Sequence, residues 1–233
     1  MNALREFAQT EPLTSRALGP DDLDAVDALH HLAIGPLVRP EVVKPENRSY
    51  FEGILGGRGW TVGLYDGALL VAYGILQHDH TPKDGPHRLL GLRPETKVGR
   101  LAGASVHPAY RGRGLQRVLI AARVKAAPAD MVLFSTAAPV NTPSWSSLLA
   151  EGFPIHDIQL FFGGYARYVL VRDGSTYDPA EAVLVDPLDT ERQKALFAQG
   201  SHGYERSRLE CGAAGVLFAP PRKGTAEARG QKL

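Results

Sequence analysis

Residues 101–127, LAGASVHPAYRGRGLQRVLIAARVKAA, decide the fold of this chain. The short apolar run at 101–106 predicts a buried strand, and Pro108 ends it because proline cannot donate to a sheet ladder. Further along, apolar residues recur at helical spacing until Pro128 ends the pattern, which predicts an amphipathic helix. Its apolar face holds Leu115, Val118, Leu119, Ala122 and Ala126, and its polar positions are Gln116, Arg117, Arg123 and Lys125.

A tight basic loop, Arg111-Gly112-Arg113-Gly114, joins the predicted strand to the predicted helix. Its glycines allow a sharp turn and a close approach to a ligand. Unpaired N–H groups at a helix start, together with the positive end of the helix dipole, form a site for a phosphate or pyrophosphate, and the arginines add donors. Other nucleotide motifs do not match. Arg117 stands where a dinucleotide fingerprint needs its third glycine, and no Gly-Lys-Ser/Thr follows as in a P-loop.

Two segments resemble motifs of the GNAT superfamily of N-acyltransferases. Residues 106–116, Val-His-Pro-Ala-Tyr-Arg-Gly-Arg-Gly-Leu-Gln, resemble its acyl-CoA loop, Gln/Arg-x-x-Gly-x-Gly/Ala introduced by Val-x-Pro, with Gln116 in place of a small residue. Residues 141–153, Asn-Thr-Pro-Ser-Trp-Ser-Ser-Leu-Leu-Ala-Glu-Gly-Phe, resemble its Asn-x-x-Ala-x-x-Leu-Tyr-Glu-x-x-Gly-Phe segment, in which Thr142 is expected to cap a helix. The resemblance extends over residues 13–172, as two motifs and otherwise as an order of elements.

This resemblance implies an α/β (α+β) fold with a mixed, mostly antiparallel sheet whose two central parallel strands splay apart to admit the cofactor. The parallel partner of the 101–106 strand is expected at 131–136. The co-substrate is acetyl-CoA or another acyl-CoA, and no metal is expected. The side chain of Asn141 would hydrogen-bond to the pantetheine arm of CoA or to the backbone of the residues that follow Asn141. The implied cofactor-binding residues are Ser105, Val106, Arg111, Gly112, Arg113, Gly114, Leu115, Gln116, Asn141 and Ser144.

The activity that the resemblance implies is transfer of an acetyl or other short acyl group from acyl-CoA to the amine of a small molecule or peptide, by direct attack in a ternary complex. A backbone N–H near Val106 would hold the oxyanion. The family's usual glutamate base has no counterpart at 99–105, and Leu148 stands where the family's tyrosine protonates the leaving thiolate. The catalytic residues therefore stay unassigned, and the candidates of suitable chemistry are His107, Ser135, Ser147 and Tyr165.

These gaps leave a second reading open, in which the chain is a catalytically inactive CoA-binding GNAT domain that acts as a sensor or an assembly partner. The intact donor loop favours the enzyme. The missing glutamate and tyrosine favour the sensor.

Gly19-Pro20-Asp21-Asp22 predicts the start of a first helix of about three turns, and the adjacent histidines His30 and His31 end it. A histidine at a helix C-terminus is favoured by the dipole, and this ordinary role is preferred to one in an acceptor pocket. Neighbouring residues cannot share a helix face as paired metal ligands do, so the pair predicts no metal site.

The sequence on either side of these motifs predicts two hairpins and a long polar loop. Asp66-Gly67 between two β-rich runs, 60–65 and 68–77, is the signal of a hairpin. A polar loop is predicted at 78–98 and a closing hairpin at 157–171, which completes an acyltransferase domain at 13–172.

Residues 173–221 form an extension with a β-α-β pattern. Its helix is predicted at 189–199 with Leu188 and Leu196 facing inward, and its last strand at 214–219. The extension packs on the core, covers an acceptor site or forms a homodimer contact, and the sequence does not choose among these. Residues 222–233 are polar and predicted to be disordered.

The composition is that of an ordinary globular chain: of 233 residues, 44% are apolar and 22% are charged, with a formal net charge of +1. This balance gives no general attraction to nucleic acid. One feature, a basic stripe on the helix after the loop, would favour nucleic-acid binding. No apolar run approaches the ~20 residues that span a bilayer, and Cys211 alone cannot form an internal disulfide. We expect no nucleic-acid or membrane partner and, without an apolar signal core near the start, a cytoplasmic location.

Overall fold

The computed structural model describes residues 12–35, 39–80 and 85–222. The strands are β1 (Thr14–Leu18), β2 (Gly59–Asp66), β3 (Leu69–Gln77), β4 (Val98–Val106), β5 (Val132–Ala137), β6 (Ile155–Phe161), β7 (Tyr165–Arg172), β8 (Val183–Val185), β9 (His202–Arg208) and β10 (Ala214–Ala219). The helices are α1 (Leu23–Ile34), α2 (Arg48–Gly53), α3 (Pro86–Leu90), α4 (Leu115–Ala126), α5 (Thr142–Ala150) and α6 (Thr190–Ala198). Within these described ranges, no helix combines the length and apolar character needed to cross a membrane.

All the strands belong to one 10-stranded sheet in the order β1-β2-β3-β4-β5-β7-β6-β9-β10-β8. Neighbouring strands are antiparallel except β4 and β5, which run parallel. The predicted mixed, mostly antiparallel sheet is confirmed.

The central strands β4 and β5 separate after a short parallel stretch. Their pairing covers only residues 98–100 of β4 and 132–134 of β5. Beyond that point β4 stays paired with β3 as far as Val106, and β5 stays paired with β7 as far as Ala137. The strands therefore diverge and leave a cleft between them, as the predicted splayed pair requires.

Helices cover both faces of the sheet around this cleft. On one face, Val26 of α1 and Phe51 of α2 share an apolar cluster with Tyr73 of β3. On the other face, Leu119 of α4 shares a cluster with Ala72. Successive residues of a strand point to opposite faces, so α1 and α2 lie opposite α4.

Helix α4 has the predicted bounds, but its buried face differs from the prediction. Val118 is 50% exposed, whereas Arg123 is only 2% exposed. Arg123 donates to the carbonyl oxygens of Leu119, Ile75 and Ala102 at 2.9, 3.2 and 3.5 Å. The register of β3 and β4 shifts at this level, so the guanidinium satisfies carbonyls that the interrupted ladder leaves open. The prediction of Arg123 as a surface position in a basic stripe is therefore wrong.

The predicted polar loop at 78–98 is partly regular in the residues that the structure describes. It contains the short helix α3, and β4 begins at Val98, earlier than predicted. Leu89, Leu90 and Leu92 pack against the buried cluster that contains Phe134. Three leucines in so short a segment give too little periodicity to indicate a helix from sequence.

The extension continues the same sheet. Strand β9, which the sequence analysis did not predict because most of its residues are polar, meets β6 at the pair Ile155 and Gly203. Val216 and Phe218 of β10 lie in the same buried cluster as Ile155. Leu196 is buried as predicted, but Leu188 is 63% exposed because it precedes α6. Apart from Arg222, the tail predicted to be disordered lies outside the described residues.

Candidate functional site

A cavity of about 770 Å³ occupies the cleft between β4 and β5. Residues 100–106 and 135–138 line its two long walls, and the first turns of α4 and α5 close one side. The end of α1 and the segment 42–46 lie on the remaining side. This volume suits a small molecule or part of a cofactor. In the part of the chain that the structure describes, no residue after Arg167 lines the cavity, so the extension does not cover it.

The basic loop lies at the mouth of the cavity. Gly112 and Gly114 have φ of 78° and 73°, in the left-handed region that favours glycine. In the described chain, the N–H groups of residues 112–116 make no backbone hydrogen bond. Arg111 donates from Nη2 to the carbonyl oxygen of Ala33, at the end of α1. These free N–H groups at the start of a 12-residue helix can bind an anion.

The predicted cofactor residues converge on this cavity with one exception. The residues that line it are Ser105, Val106, Arg111, Gly112, Gly114, Leu115, Gln116, Asn141 and Ser144. Arg113 does not line it, because its guanidinium lies over the ring of Tyr110, 4.7 Å from the ring centroid. A flexible exposed side chain is free to make this contact, so sequence spacing alone did not place it.

The backbone of β4 directs polar groups into the cleft. His107 N–H donates to the carbonyl oxygen of Val71 at 2.8 Å, and Val106 is aligned with Ala72. In an antiparallel ladder, successive residues bond alternately to the partner strand and to the opposite side. The N–H and C=O of Val106 and Ala104 therefore point toward β5, which has diverged there. A free N–H at Val106 is the donor that an oxyanion requires.

The first turn of α5 forms part of the wall that faces this strand. Asn141 is the N-cap, and its Oδ1 accepts from Ser144 N–H at 3.3 Å, so the prediction of Thr142 as the cap is wrong. Of the two predicted roles for Asn141, this structure shows the bond to the following backbone. Leu148 lines the cavity with 3% of its surface exposed, so an apolar side chain occupies the position of the family's tyrosine.

His30 is a cavity residue that the sequence analysis placed wrongly. Its Nε2 accepts from Glu46 N–H at 3.0 Å, which leaves the ring proton on Nδ1, 3.2 Å from the hydroxyl of Tyr73. Ser105 Oγ donates to the same hydroxyl at 3.3 Å. Burial, helped by the neighbouring His31, lowers the pKa of His30, so the ring stays neutral. Both ring nitrogens are engaged, so His30 orients the segment that carries Glu46.

The cavity wall carries more positive than negative charge. Among the described lining residues Glu46 is the only carboxylate, and it pairs with Lys44 at 3.0 Å. Arg100, Arg123 and Arg167 also line the cavity. No carboxylate of the described chain lies within salt-bridge distance of these three arginines. Sequence reasoning missed Glu46, Arg100 and Arg167, because only the tertiary fold brings them to one cavity.

Arg167 holds one side of this wall in place. It donates from Nη1 to the carbonyl oxygen of Glu41 at 3.1 Å and from Nη2 to that of Pro40 at 2.7 Å. These bonds attach the segment before residue 42 to β7. Burial lowers the pKa of Arg167, since a guanidinium loses hydration there.

A second polar group lies outside the cavity, where β6, β7 and β9 meet. His156 Nε2 is 3.1 Å from Asp173 Oδ2, and the rings of His156 and His202 stack with centroids 3.9 Å apart. Their ligand-type atoms lie within 4.8 Å of one another. Stacked rings direct their nitrogen lone pairs along nearly parallel planes, whereas metal ligands must converge. We interpret this group as a histidine–carboxylate contact beside a stacked neutral histidine, His202.

The sequence of the site matches a family model. The model of the acetyltransferase (GNAT) family matches residues 27–153, which include both walls of the cleft and the basic loop. The chain belongs to the GNAT acetyltransferase family. A sequence search of curated proteins found no significant match.

Solved GNAT structures share the fold at low sequence identity. Arabidopsis thaliana NAA60 in complex with acetyl-CoA is 18% identical with a TM-score of 0.53, covering 69% of this chain and 97% of that one. The Escherichia coli ribosomal-protein-S18-alanine N-acetyltransferase is 17% identical with a TM-score of 0.50, covering 69% and 92%. The putative acetyltransferase yncA of Salmonella typhimurium, with acetyl-CoA, is 14% identical with a TM-score of 0.51, covering 69% and 92%. At these identities the likeness is one of fold.

The catalytic candidates of this GNAT chain are dispersed. His107 turns back onto its own turn, where Nδ1 accepts from Ala109 N–H at 3.2 Å, and neither His107 nor Tyr165 lines the cavity. Ser135 lines it, but its Oγ donates to the carbonyl oxygen of Leu101 at 2.8 Å. Ser147 also lines it, and its Oγ donates to the carbonyl oxygen of Pro143. These placements argue against His107 and Tyr165 and leave neither serine as a free base.

Proposed function

We propose that this GNAT protein is an N-acyltransferase that moves an acetyl or other short acyl group from acyl-CoA to an amine. The observation that carries the proposal is the coincidence of three features in one cavity. These are the diverging strands, the free N–H groups of the basic loop at the cavity mouth, and the inward N–H of Val106.

In this proposal the donor lies along β4. The N–H groups of residues 112–116 bind the pyrophosphate, with Arg111 beside them, and the pantetheine arm follows β4 between Val106 and the first turn of α5. Asn141 and Ser144 flank the arm. The thioester oxygen accepts from Val106 N–H, which stabilises the negative charge that develops during attack. Holding both reactants in the cleft supplies the other part of the acceleration.

The acceptor amine enters from the side of the cavity formed by α1 and the segment 42–46. Glu46, the one carboxylate among the described lining residues, takes the proton of the ammonium group directly or through a water. The neutral amine then attacks the thioester carbonyl carbon, a C–N bond forms and the C–S bond breaks. As the C–S bond breaks, the nitrogen gives up its second proton, and water relays this proton to the departing thiolate, since Leu148 has none to donate.

A variant pair tests this role of Glu46. We expect Glu46→Gln to lower kcat by 10²-fold or more, as for loss of a general base, and to leave the Kd of acetyl-CoA within twofold. Glu52→Gln is the matched control, because the Glu52 side chain is 54% exposed on α2 and does not line the cavity. Equal activity of Glu46→Gln and the unmodified protein would remove Glu46 from the mechanism.

The second candidate function is CoA binding without transfer, which the buried Leu148 and the engaged serines favour. Calorimetric titration with acetyl-CoA, followed by a free-thiol assay across an amine library, separates the two. Micromolar binding with acceptor-dependent thiol release supports the transferase. Binding without release for every amine supports the sensor, and no binding contradicts both.

The domain assignment belongs to the same proposal. Residues 13–172 form the acyltransferase domain, and residues 173–221 form an extension packed on its core, because the two share the cluster that contains Ile155 and Phe218. On this basis the extension stabilises the domain, and a homodimer contact through it stays a prediction that size-exclusion chromatography with light scattering can test.

A further inference from the structure

Arg100 stands at the point where the two central strands part. It is the last residue of β4 that pairs with β5, opposite Phe134. Its Nη2 donates to Thr136 Oγ1 at 3.2 Å, across the opening of the cleft. The side chain lines the cavity, so its guanidinium lies at the inner end of the cleft.

The guanidinium of Arg100 is left largely unsatisfied by the protein. A guanidinium has five N–H donors. In the described chain, Thr136 Oγ1 is the one atom that accepts a hydrogen bond from them. Its Nε is buried without any hydrogen-bond partner. The side chain as a whole is half-buried, so its remaining donors are open to the cavity, where an anionic ligand can accept from them.

Several other arginines of the described chain, unlike Arg100, have carboxylate or carbonyl partners for their guanidinium groups. On the surface, Arg16 pairs with Asp22 at 2.6 Å and Arg117 with Glu151 at 2.7 Å. On the cavity wall, Arg167 and Arg123 satisfy their donors with backbone carbonyls. Arg111 donates to the carbonyl oxygen of Ala33. Among the described lining arginines, Arg100 is therefore the one that bonds to neither a carboxylate nor a backbone carbonyl.

The phosphates of CoA do not account for this cation. They are assigned to the loop at 112–116, and Arg100 precedes Val106 by six positions, about 20 Å along an extended strand. The group that reaches Arg100 therefore lies beyond the thioester oxygen bound by Val106 N–H, on the acceptor's side of the cleft.

We propose that Arg100 binds a carboxylate of the acceptor, so that the acceptor is an elongated amine with its carboxylate at the end remote from the amine, as in long ω-amino acids and short peptides. This inference rests on the proposed acyltransferase function. Glu46, on the side of the cavity formed by the segment 42–46, receives the ammonium proton, and Arg100, on the β4 wall, forms a charge-assisted hydrogen-bonded pair with the carboxylate. The opposite charges of such an acceptor match the opposite charges of these two cavity residues.

The test compares acids with their amides. Thiol release from acetyl-CoA is measured for a panel of ω-amino acids of increasing length and of di- and tripeptides, each beside its carboxamide, with kcat/KM calculated on the concentration of neutral amine. We expect the acid to be preferred at least tenfold over its amide. In Arg100→Gln the preference should fall to about one, whereas Arg100→Lys should keep part of it, since the charge remains without the planar fork.

The matched control is Arg93→Gln, because the Arg93 side chain is 80% exposed and does not line the cavity. We expect it to keep the full preference for acids. Acetyl-CoA binding is measured by calorimetry for every variant. Turnover of the amides but of no acid overturns this inference alone. Binding of acetyl-CoA with no turnover of any amine, or no binding by the unmodified protein, overturns the proposed function as well.

A carboxylate could also arrive on the acyl group of the donor. Succinyl-CoA is therefore compared with acetyl-CoA in the same assay, using the amides as acceptors. A preference for succinyl-CoA that Arg100→Gln abolishes would place the carboxylate on the donor and overturn the assignment to the acceptor. Equal use of acids and amides by the unmodified protein would overturn it too.

Discussion

Replacing Gly114 with valine should separate CoA binding from folding. Gly114 is the N-cap of α4 with φ 73° and ψ 8°, and a Cβ built there meets no heavy atom within 4 Å. The cost to folding therefore comes from the left-handed backbone alone, about 1–2 kcal/mol for a residue with a Cβ. For a chain of this size, such a loss lowers Tm by about 2–8 °C.

The cost to binding should be larger, because the open space beside Gly114 is where the phosphate must approach the loop. A hydrogen bond to a charged group is worth about 1.5–3 kcal/mol, so losing one or two of the N–H contacts raises the Kd of acetyl-CoA by roughly tenfold to more than a hundredfold. Isothermal titration calorimetry measures this change, and thermal denaturation reports the folding cost.

Gly91→Val is the matched control. Gly91 is also left-handed, with φ 65°, a Cβ there also meets open space, and it does not line the cavity. We expect a similar loss of Tm and an unchanged Kd. Normal acetyl-CoA binding by Gly114→Val, or an equal loss of affinity in both variants, would refute the assignment of the loop as a phosphate site.

Three further predictions concern stability. Arg123→Met leaves the buried carbonyls of Ile75 and Ala102 without donors, and we expect urea denaturation to show a loss of about 2–4 kcal/mol. Burial, helped by His156, lowers the pKa of His202 from 6.5 to about 4, so neutral His202 stabilises the fold above pH 6.5. That contribution, up to about 3 kcal/mol, should be lost as the pH falls from 6.5 to 4, and His202→Gln should flatten this part of the stability profile. Asn141→Ala removes the N-cap of α5 and should cost about 1 kcal/mol in the same denaturation assay.

Short patterns along the sequence were sufficient to predict most of the helices and strands of the core. The Asp66-Gly67 turn lies between β2 and β3 as expected, and helix α4 begins directly after Gly114 and ends at Ala126. These features depend on residues that are close in the chain, such as a turn residue and its flanking runs. They could therefore be read without knowing what the elements pack against.

Strand β9 and helix α3 were missed for a physical reason. Strand β9 is polar along most of its length and is held by backbone pairing with β10 and by its contact with β6. Helix α3 is five residues long and is held by the packing of Leu89 and Leu90. Neither has a periodic pattern of its own, so tertiary contacts determine them.

For this chain, the sequence by itself determined the basic glycine loop and the family resemblance, because both depend on contiguous motifs, and the splayed central strands were expected only because the resemblance implies them. Only the tertiary structure decided which side chains share the cavity. Glu46, Arg100 and Arg167 come from a loop, the strand β4 and the strand β7. Arg123 likewise looks like a surface residue until the irregular pairing of β3 and β4 exposes carbonyls for it. Proximity across the sheet and the burial of charge are properties of packing, and no spacing along the chain encodes them.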